Sequence, residues 1–307
     1  MNLPFFIAGR YLFARKSHNV INRISAISAI GMAVGTAALI IILSIYNGFD
    51  ALVKSMVSSI EPDLAIVSAG GKFFVPEGKV YDWLYDNPSV KTMSTSLQDN
   101  VFVEYEGAQG TAVLKGVDSV FMTDSPVSDH ITDGEFALEK GEIRYAAVGQ
   151  GFARQMGINV HFTSPIRLYY PDKDVRYSAA NPMSSVNVAR VWPSCEFSVN
   201  ADIDSRLVIV SQDVARSLLG LEDEVSSVEL RFADGLGRRA ARQLRRETQE
   251  RLGDGFKVLD RMQQNPTLYK MLRYEKLTVY LIMVFIVLIL GFSIFGSLSM
   301  LIIEKED

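Results

Sequence analysis

Residues 277–303 read LTVYLIMVFIVLILGFSIFGSLSMLII, 27 positions without an Asp, Glu, Lys or Arg. A helix needs about 20 residues to cross the hydrocarbon core of a bilayer. Each Val, Leu, Ile or Phe favours insertion by about 0.3–0.6 kcal/mol, so the stretch sums to several kcal/mol in favour of the membrane. A second charge-free stretch, ISAISAIGMAVGTAALIIILSIYNGF, fills the 26 positions 24–49. It opens softer, with Ser25, Ser28, Gly31, Gly35 and Thr36 among alanines. Gly31-x-x-x-Gly35 has the spacing that lets two helix backbones approach in lipid, where van der Waals packing must replace the hydrophobic effect. Glycine is common in membrane helices, which accounts for the pair equally well.

The composition agrees with two spans: 48% of residues are hydrophobic, 21% are charged, and the mean hydropathy is +0.14. A net charge of −4 leaves no basic field to attract a phosphate backbone, which argues against a nucleic-acid partner. The single cysteine, Cys195, has no internal disulfide partner. His18, His130 and His161 lie too far apart for metal-ligand spacing, so no metal site is expected.

Working outward from the first span, Arg10, Arg15, Lys16 and Arg23 precede it with no acid among them. The apolar run is longer than the 7–15 residues of a signal-peptide core and starts late, so it reads as a retained anchor. Phe5, Phe6, Tyr11, Leu12 and Phe13 beside those cations suit a helix lying in the headgroup plane, making residues 1–23 a cytoplasmic interfacial segment. The same charges place the N-terminus in the cytoplasm. Lys270, Arg273 and Lys276 before the second span argue the other way, but long domains translocate largely regardless of charge. The expected order is span 24–49, exported domain 50–276, span 277–303, and a cytoplasmic start at 304–307.

The 227 residues between the spans carry 26 Lys and Arg against 32 Asp and Glu, a balance of about −6. Their patterns predict mixed α/β structure. Residues 63–68 (DLAIVS) alternate, 77–85 (EGKVYDWLY) have helical spacing, and 90–97, 101–105 and 111–117 read as strands. Later, 227–232 (SVELRF), a helix over about 236–252 and 256–259 form a β-α-β unit resembling half of a ferredoxin-like sandwich. Two such units flank an inserted β-rich part, with strands at 165–170, 187–191 and 207–210. Between the first two of these lies PDKDVRYSAANPMSS, a polar loop of a length that is uncommon unless functional.

Enzyme chemistry finds no foothold. There is no G-x-x-x-x-G-K-[ST], G-x-S-x-G, H-E-x-x-H or paired C-x-x-C, so no catalytic residue is assigned. Cys195 reads as a small buried hydrophobe. The arginine-rich stretch 238–251 reads as a solvated helix packed on a sheet, since Ala240, Ala241, Leu244, Thr248 and Leu252 give it one less polar face.

The junction 23–67, RISAISAIGMAVGTAALIIILSIYNGFDALVKSMVSSIEPDLAIV, resembles the first membrane helix and its exit in the lipoprotein-releasing ABC transporter permeases, the LolC/LolE type of the wider FtsX/MacB permease superfamily. Its marks are Ser25, Ser28, Gly31, Gly35, the Asn47-Gly48-Phe49 exit, and Pro62 ahead of a strand. Further matches follow in order along the whole chain: Lys115-Gly116-Val117-Asp118, Val148-Gly149, Tyr274-Glu275-Lys276, and Ser297-Leu298-Ser299-Met300 through Glu304-Lys305. Family members continue into a coupling helix and two more membrane helices where this sequence ends at Asp307, so a permease truncated after its second helix is expected.

The resemblance implies a transmembrane subunit that extracts lipoproteins from the bacterial inner membrane and passes them to a periplasmic carrier. It implies no cofactor in this chain, with ATP held by a cytoplasmic ABC ATPase dimer, and a second permease subunit, identical or homologous. The family's carrier-binding loop maps to about 171–191, with Tyr169, Tyr170, Pro171, Arg176, Tyr177 and Pro182 as its candidate residues. The outer halves of the spans, Ile40, Leu43, Ile45, Tyr46 and Phe49 with Tyr280, Val284 and Val287, are expected to border a lipid-receiving cavity. Glu304 and Lys305 fall at the ATPase-coupling end. The alternatives are another FtsX/MacB-type permease, for efflux or cell-wall hydrolase control, and a membrane-bound sensor whose signalling module is lost.

Overall fold

The computed structural model describes residues 19–306 apart from 59, 163, 173–184 and 265. The chain divides into two compact units, one made of Met1–Val53 with Thr267–Asp307 and the other of Lys54–Pro266. In the first, both apolar stretches are helical: α1 (Asn19–Ser58, 40 residues) and, at the other end of the chain, α9 (Pro266–Glu306, 41 residues). Their most apolar windows, Ala26–Phe49 and Arg273–Gly296, are 24 residues each, and none of either is buried. Hydroxyls inside these helices turn inward, Thr36 Oγ1 donating to the Met32 carbonyl at 2.8 Å and Thr278 Oγ1 to the Tyr274 carbonyl at 3.0 Å. Such bonds satisfy a hydroxyl where no water is at hand. A Cβ added at Gly35 would meet Leu290 Cδ2 at 2.5 Å, whereas one at Gly31 would meet nothing within 4 Å. The G-x-x-x-G pattern therefore acts through one of its two glycines.

The second unit runs β1 (Leu64–Ser68), α2 (Lys79–Tyr85), β2 (Val90–Tyr105), β3 (Ala108–Val117), α3 (Ser119–Thr123), β4 (Ile131–Gly134), β5 (Glu139–Lys140), β6 (Ile143–Gly149), α4 (Gln150–Met156), β7 (Ile166–Pro171), β8 (Val186–Phe197), α5 (Ala201–Asp204), β9 (Leu207–Ser211), α6 (Gln212–Leu219), β10 (Ser227–Phe232), α7 (Arg238–Leu252), β11 (Phe256–Asp260) and α8 (Arg261–Gln264). Nine strands follow the order β11-β1-β10-β2-β3-β9-β6-β8-β4.

At one end of the sheet β1 lies antiparallel between β10 and β11, and β10 antiparallel between β1 and β2. Two crossovers are thus interleaved, β1-α2-β2 and β10-α7-β11. Their apolar residues meet in one cluster on one sheet face: Leu64, Ile66, Tyr81, Leu84, Val228, Leu230, Leu244 and Val258. The arginine-rich α7 buries Leu244 and Thr248 there, while Arg246 pairs with Glu250 at 2.8 Å and Arg251 stacks 4.2 Å from the Trp83 ring centroid. Its charges are a solvated face.

The inserted part closes on itself. β2 pairs β3, β3 pairs β9, β9 pairs β6, β6 pairs β8, β8 pairs β7, and β7 returns to β2 through Phe102–Tyr169, Val103–Leu168 and Glu104–Arg167. Closure removes the free edges on which strands aggregate. Inside lie Val103, Tyr105, Leu114, Val148, Ile166, Leu168, Val191, Val208 and Val210, with Phe152 and Leu218 from α4 and α6. In a second cluster Val117, Ala147, Cys195, Phe197 and Ile209 of the same strands pack on Phe121 and Leu138, β8 changing face at its register shift between Pro193 and Cys195.

Three sequence expectations change. Positions 90–97 and 101–105 are one strand of 16 residues: the polar Gln98, Asp99 and Asn100 keep the ladder, opposite Lys115, Leu114 and Val113. The α2 helix starts at Lys79, because Gly78 before it adopts φ 118, a left-handed backbone that favours glycine. The 187–191 strand runs on to Phe197, Val186–Phe197 in full, through Pro193 and Cys195.

Candidate functional site

The predicted loop sits on a hairpin. β7 and β8 pair antiparallel from Ile166–Val191 to Pro171–Val186, and the Asp172 amide extends the ladder by donating to the Ser185 carbonyl at 2.9 Å. Ile166 and Leu168 point into the closed core, which fixes the register, because a slip of one residue would turn them out. Pro171, which has no N–H to give, ends β7 and is exposed.

The two tyrosines do not stand free at the tip. The Tyr169 hydroxyl donates to Glu104 Oε2 at 2.6 Å, and Arg167 holds the other oxygen of that carboxylate at 3.1 Å. That bond to Glu104 raises the Tyr169 pKa. The Tyr170 hydroxyl donates to Asp99 Oδ2 at 2.8 Å, and Lys72 pairs with the same carboxylate. Burial, helped by Asp99, pushes the Tyr170 phenol up to about 12. Both hydroxyls therefore anchor the base of the hairpin to β2. Arg176, Tyr177 and Pro182 lie outside the described residues.

Of the predicted lipid-facing residues, Ile40, Leu43, Ile45, Phe49, Tyr280, Val284 and Val287 are exposed and Tyr46 is half-buried. Ile40 also closes a shallow hollow on α1 lined by Ala29, Met32, Ala33, Thr36 and Ala37. Glu304 and Lys305 fall in the last turn of α9, and their side chains lie outside the described residues. Cys195 is fully buried, and burial pushes its thiol up to about 11, so little thiolate exists at neutral pH.

A cleft of about 270 Å³ had no signature in the sequence. It opens on the sheet face opposite α2 and α7, where Ala65 and Val67 of β1 alternate with the core-facing Leu64 and Ile66. In its wall Lys115 of β3 pairs with Glu229 of β10, 2.7 Å from Oε1 and 3.0 Å from Oε2, both side chains 8% exposed. The Ser96 hydroxyl adds a bond to Glu229 Oε1 at 2.7 Å. Glu61, 9% exposed, lines the same cleft, and its Oε2 is buried without a hydrogen-bond partner. Burial raises the Glu61 pKa to about 7 against the pull of Arg261 and Lys115. In the sequence the only mark of this pair is a lysine inside an apolar strand, VLKGV.

The architecture is that of a membrane-anchored protein whose mixed α/β unit is carried between two apolar helices. Residues 25–244 match the MacB-like periplasmic core domain, and the chain belongs to that family. Along its whole length it is similar to the lipoprotein-releasing system transmembrane protein LolE of Haemophilus influenzae, at 23% identity over all of this chain and 72% of that protein. It is also similar to the corresponding LolC proteins of Neisseria meningitidis (22%; 99% of this chain, 72% of that one) and Xylella fastidiosa strain 9a5c (24%; 99% and 71%). Among solved structures, the extracellular domain of the ABC-type transporter YknZ aligns over 64% of this chain and 99% of its own, with a TM-score of 0.44 and 11% identity.

Proposed function

We propose that the chain is a transmembrane permease subunit of an ABC transporter that extracts lipoproteins from the inner membrane and passes them to a periplasmic carrier. The observation that carries this reading is full-length similarity to transmembrane proteins of lipoprotein-releasing systems, spanning both apolar helices and the unit between them. Its partners on this reading are a cytoplasmic ATPase dimer, which binds the ATP, a second permease, the lipoprotein cargo and the carrier. The N-terminus is cytoplasmic and residues 50–276 are periplasmic. The interleaved crossovers β1-α2-β2 and β10-α7-β11 support reading the first part of the soluble unit as a ferredoxin-like sandwich that carries the closed β-rich insertion.

The parts suit the task. Apolar side chains such as Leu43 and Val287 stand exposed on α1 and α9, where acyl chains entering from the outer leaflet would meet them. The hairpin base, held by Tyr169 and Tyr170, would support a carrier-binding segment at about 171–191. Glu304 and Lys305 lie at the end of α9 that faces the ATPase.

The test is transfer. Membrane vesicles holding the chain, its partner permease, the ATPase and a labelled lipoprotein should release the lipoprotein to soluble carrier when ATP is added. Release that does not depend on the chain, or export of a small molecule in its place, would sink the proposal. Replacing residues 173–184 by a two-residue turn should leave ATPase assembly intact and abolish capture by the carrier; normal transfer would remove the docking role.

A further inference from the structure

The cleft around Glu61 has chemistry that lipoprotein transfer does not use. The charged groups in its wall and close to it are almost all engaged. Glu229 takes Lys115 and Ser96, Arg206 pairs with Asp202 at 2.6 Å, and Arg261 pairs with Asp63 at 2.9 Å. Arg231 donates to the Ile60 carbonyl at 3.2 Å. What remains is Glu61 Oε2, a buried carboxylate oxygen that accepts no hydrogen bond. Leaving such an oxygen unsatisfied costs about 1–3 kcal/mol, more when it is charged. Gln98 and Ser227 line the same space, the Ser227 hydroxyl sharing a hydrogen bond with that of Ser96 at 2.9 Å, so the cleft sets neutral polar groups beside one carboxylate.

We propose that this cleft binds a primary ammonium group, held by Glu61 with Gln98 and Ser227, and that its source is the ethanolamine headgroup of a membrane lipid. An ammonium brings three N–H donors on one compact cation, which matches an unsatisfied carboxylate among neutral polar groups. A quaternary amine carries no N–H, and a headgroup without an amine sets no cation against Glu61. The volume, about 270 Å³, is near the lower end of ligand sites and suits a headgroup rather than a whole lipid.

A lipid source follows from the chain path. Ile60 comes two positions after α1 and Gln264 two positions before α9, and both line the cleft. Ile60 follows Phe49, the last residue of the first charge-free stretch, by 11 positions, so the cleft lining begins close in sequence to a membrane segment. Side-chain bonds clip the two strands of chain together at this point, Gln264 Nε2 donating to the Pro62 carbonyl at 3.1 Å. The inference does not depend on which cargo the protein moves.

Occupancy should follow the ionisation of Glu61. The charges around it are Lys115 and Arg261, which favour the carboxylate, with Glu229, Asp63, Arg206 and Arg231 in their own pairs and bonds. Because burial holds the Glu61 pKa near 7, binding should be weak at pH 6 and strong at pH 8. The test uses the full chain in uncharged maltoside micelles, with native mass spectrometry after adding short-chain phosphatidylethanolamine, phosphatidylcholine or phosphatidylglycerol. At pH 8 the ethanolamine lipid should bind at least about tenfold more tightly than the others, as expected for a charge-assisted hydrogen bond. Glu61→Gln should abolish that preference. Soluble glycerophosphoethanolamine that competes on equal terms would support the ammonium site and make its source a free amine. Equal binding of all three headgroups, or a preference that survives Glu61→Gln, would overturn it. Should Glu61→Gln fail to fold, the unaltered chain decides: a preference unchanged between pH 6 and pH 8 is the negative result.

Discussion

Strand β9 (LVIVS) and the middle of α9 (VFIVLILGF) are written in nearly the same alphabet, yet they sit in opposite surroundings. Leu207, Val208, Ile209 and Val210 are buried on both faces of the sheet. On α9, Phe285 is 64% exposed, Leu288 54% and Phe292 75%. Single exposed apolar residues are ordinary on soluble proteins, but a continuous apolar sleeve of 24 residues is not. The difference lies in the solvent: β9 hides from water inside protein, and α9 requires lipid to do the same. Length separates the two cases, since four apolar residues can be covered by neighbours and a 27-residue charge-free stretch cannot.

One carboxylate placed in each region should tell the two surroundings apart. Val208→Asp puts an unpaired charge between two packed layers and should cost more than about 4–5 kcal/mol, leaving the 54–266 unit open to limited proteolysis. Leu288→Asp should cost about 2.5–3.5 kcal/mol of insertion, less than its neighbours supply, so the protein should still resist alkaline extraction from membranes. Equal damage from the two would show that α9 is buried in protein.

Next in size is the buried ion pair. Lys115→Met should destabilise the soluble unit by about 3–5 kcal/mol in urea unfolding, because it strands Glu229 without its cation. Lys115→Met with Glu229→Leu should recover most of that loss. A double variant as weak as the single one would mean that the pair is not what the lysine supplies.

Within the membrane helices the contrast narrows to two glycines. Gly35→Val should cost about 1–3 kcal/mol through overpacking against Leu290 and lower the melting temperature in micelles. Gly31→Val should leave it unchanged, since nothing lies within 4 Å.

The last effect expected is a slope against pH. Glu61 holds its proton more tightly folded, near 7, than unfolded, near 4.5, so the folded state binds more protons between those values. Stability should therefore fall as pH rises from about 4.5 to 7 and level off above it. Glu61→Gln should flatten that slope in thermal melts of the full chain; a slope that persists would assign it to another group.

Much of the architecture was legible because its signals are local. Absence of charge over 24–49 and 277–303 marks both helices without reference to any neighbour, and alternation in DLAIVS and SVELRF marks β1 and β10. Helix α6 was missed because SQDVARSLL is short and begins inside the apolar end of β9, where Gly116 alone makes room for Ala215 to seat it on β3. The break expected near Gln98–Asn100 failed for a similar reason: those polar residues look like a turn until Lys72 and Tyr170, from other parts of the chain, are seen to satisfy Asp99.

The site divides along the same line. The two charge-free stretches and the lack of a nucleotide-loop or hydrolase motif are legible in the residues alone, because hydrophobicity and motif spacing are properties of neighbours in the chain. The anchoring of the hairpin by Tyr169 and Tyr170, the contact of Gly35 rather than Gly31 with the second helix, and the meeting of Glu61, Lys115 and Glu229 in one cleft exist only in the folded chain. These residues are 54 and 114 positions apart along the chain. Burial and pairing are set by the strands that β-sheet registration brings side by side, and a carboxyl's charge depends on that surrounding.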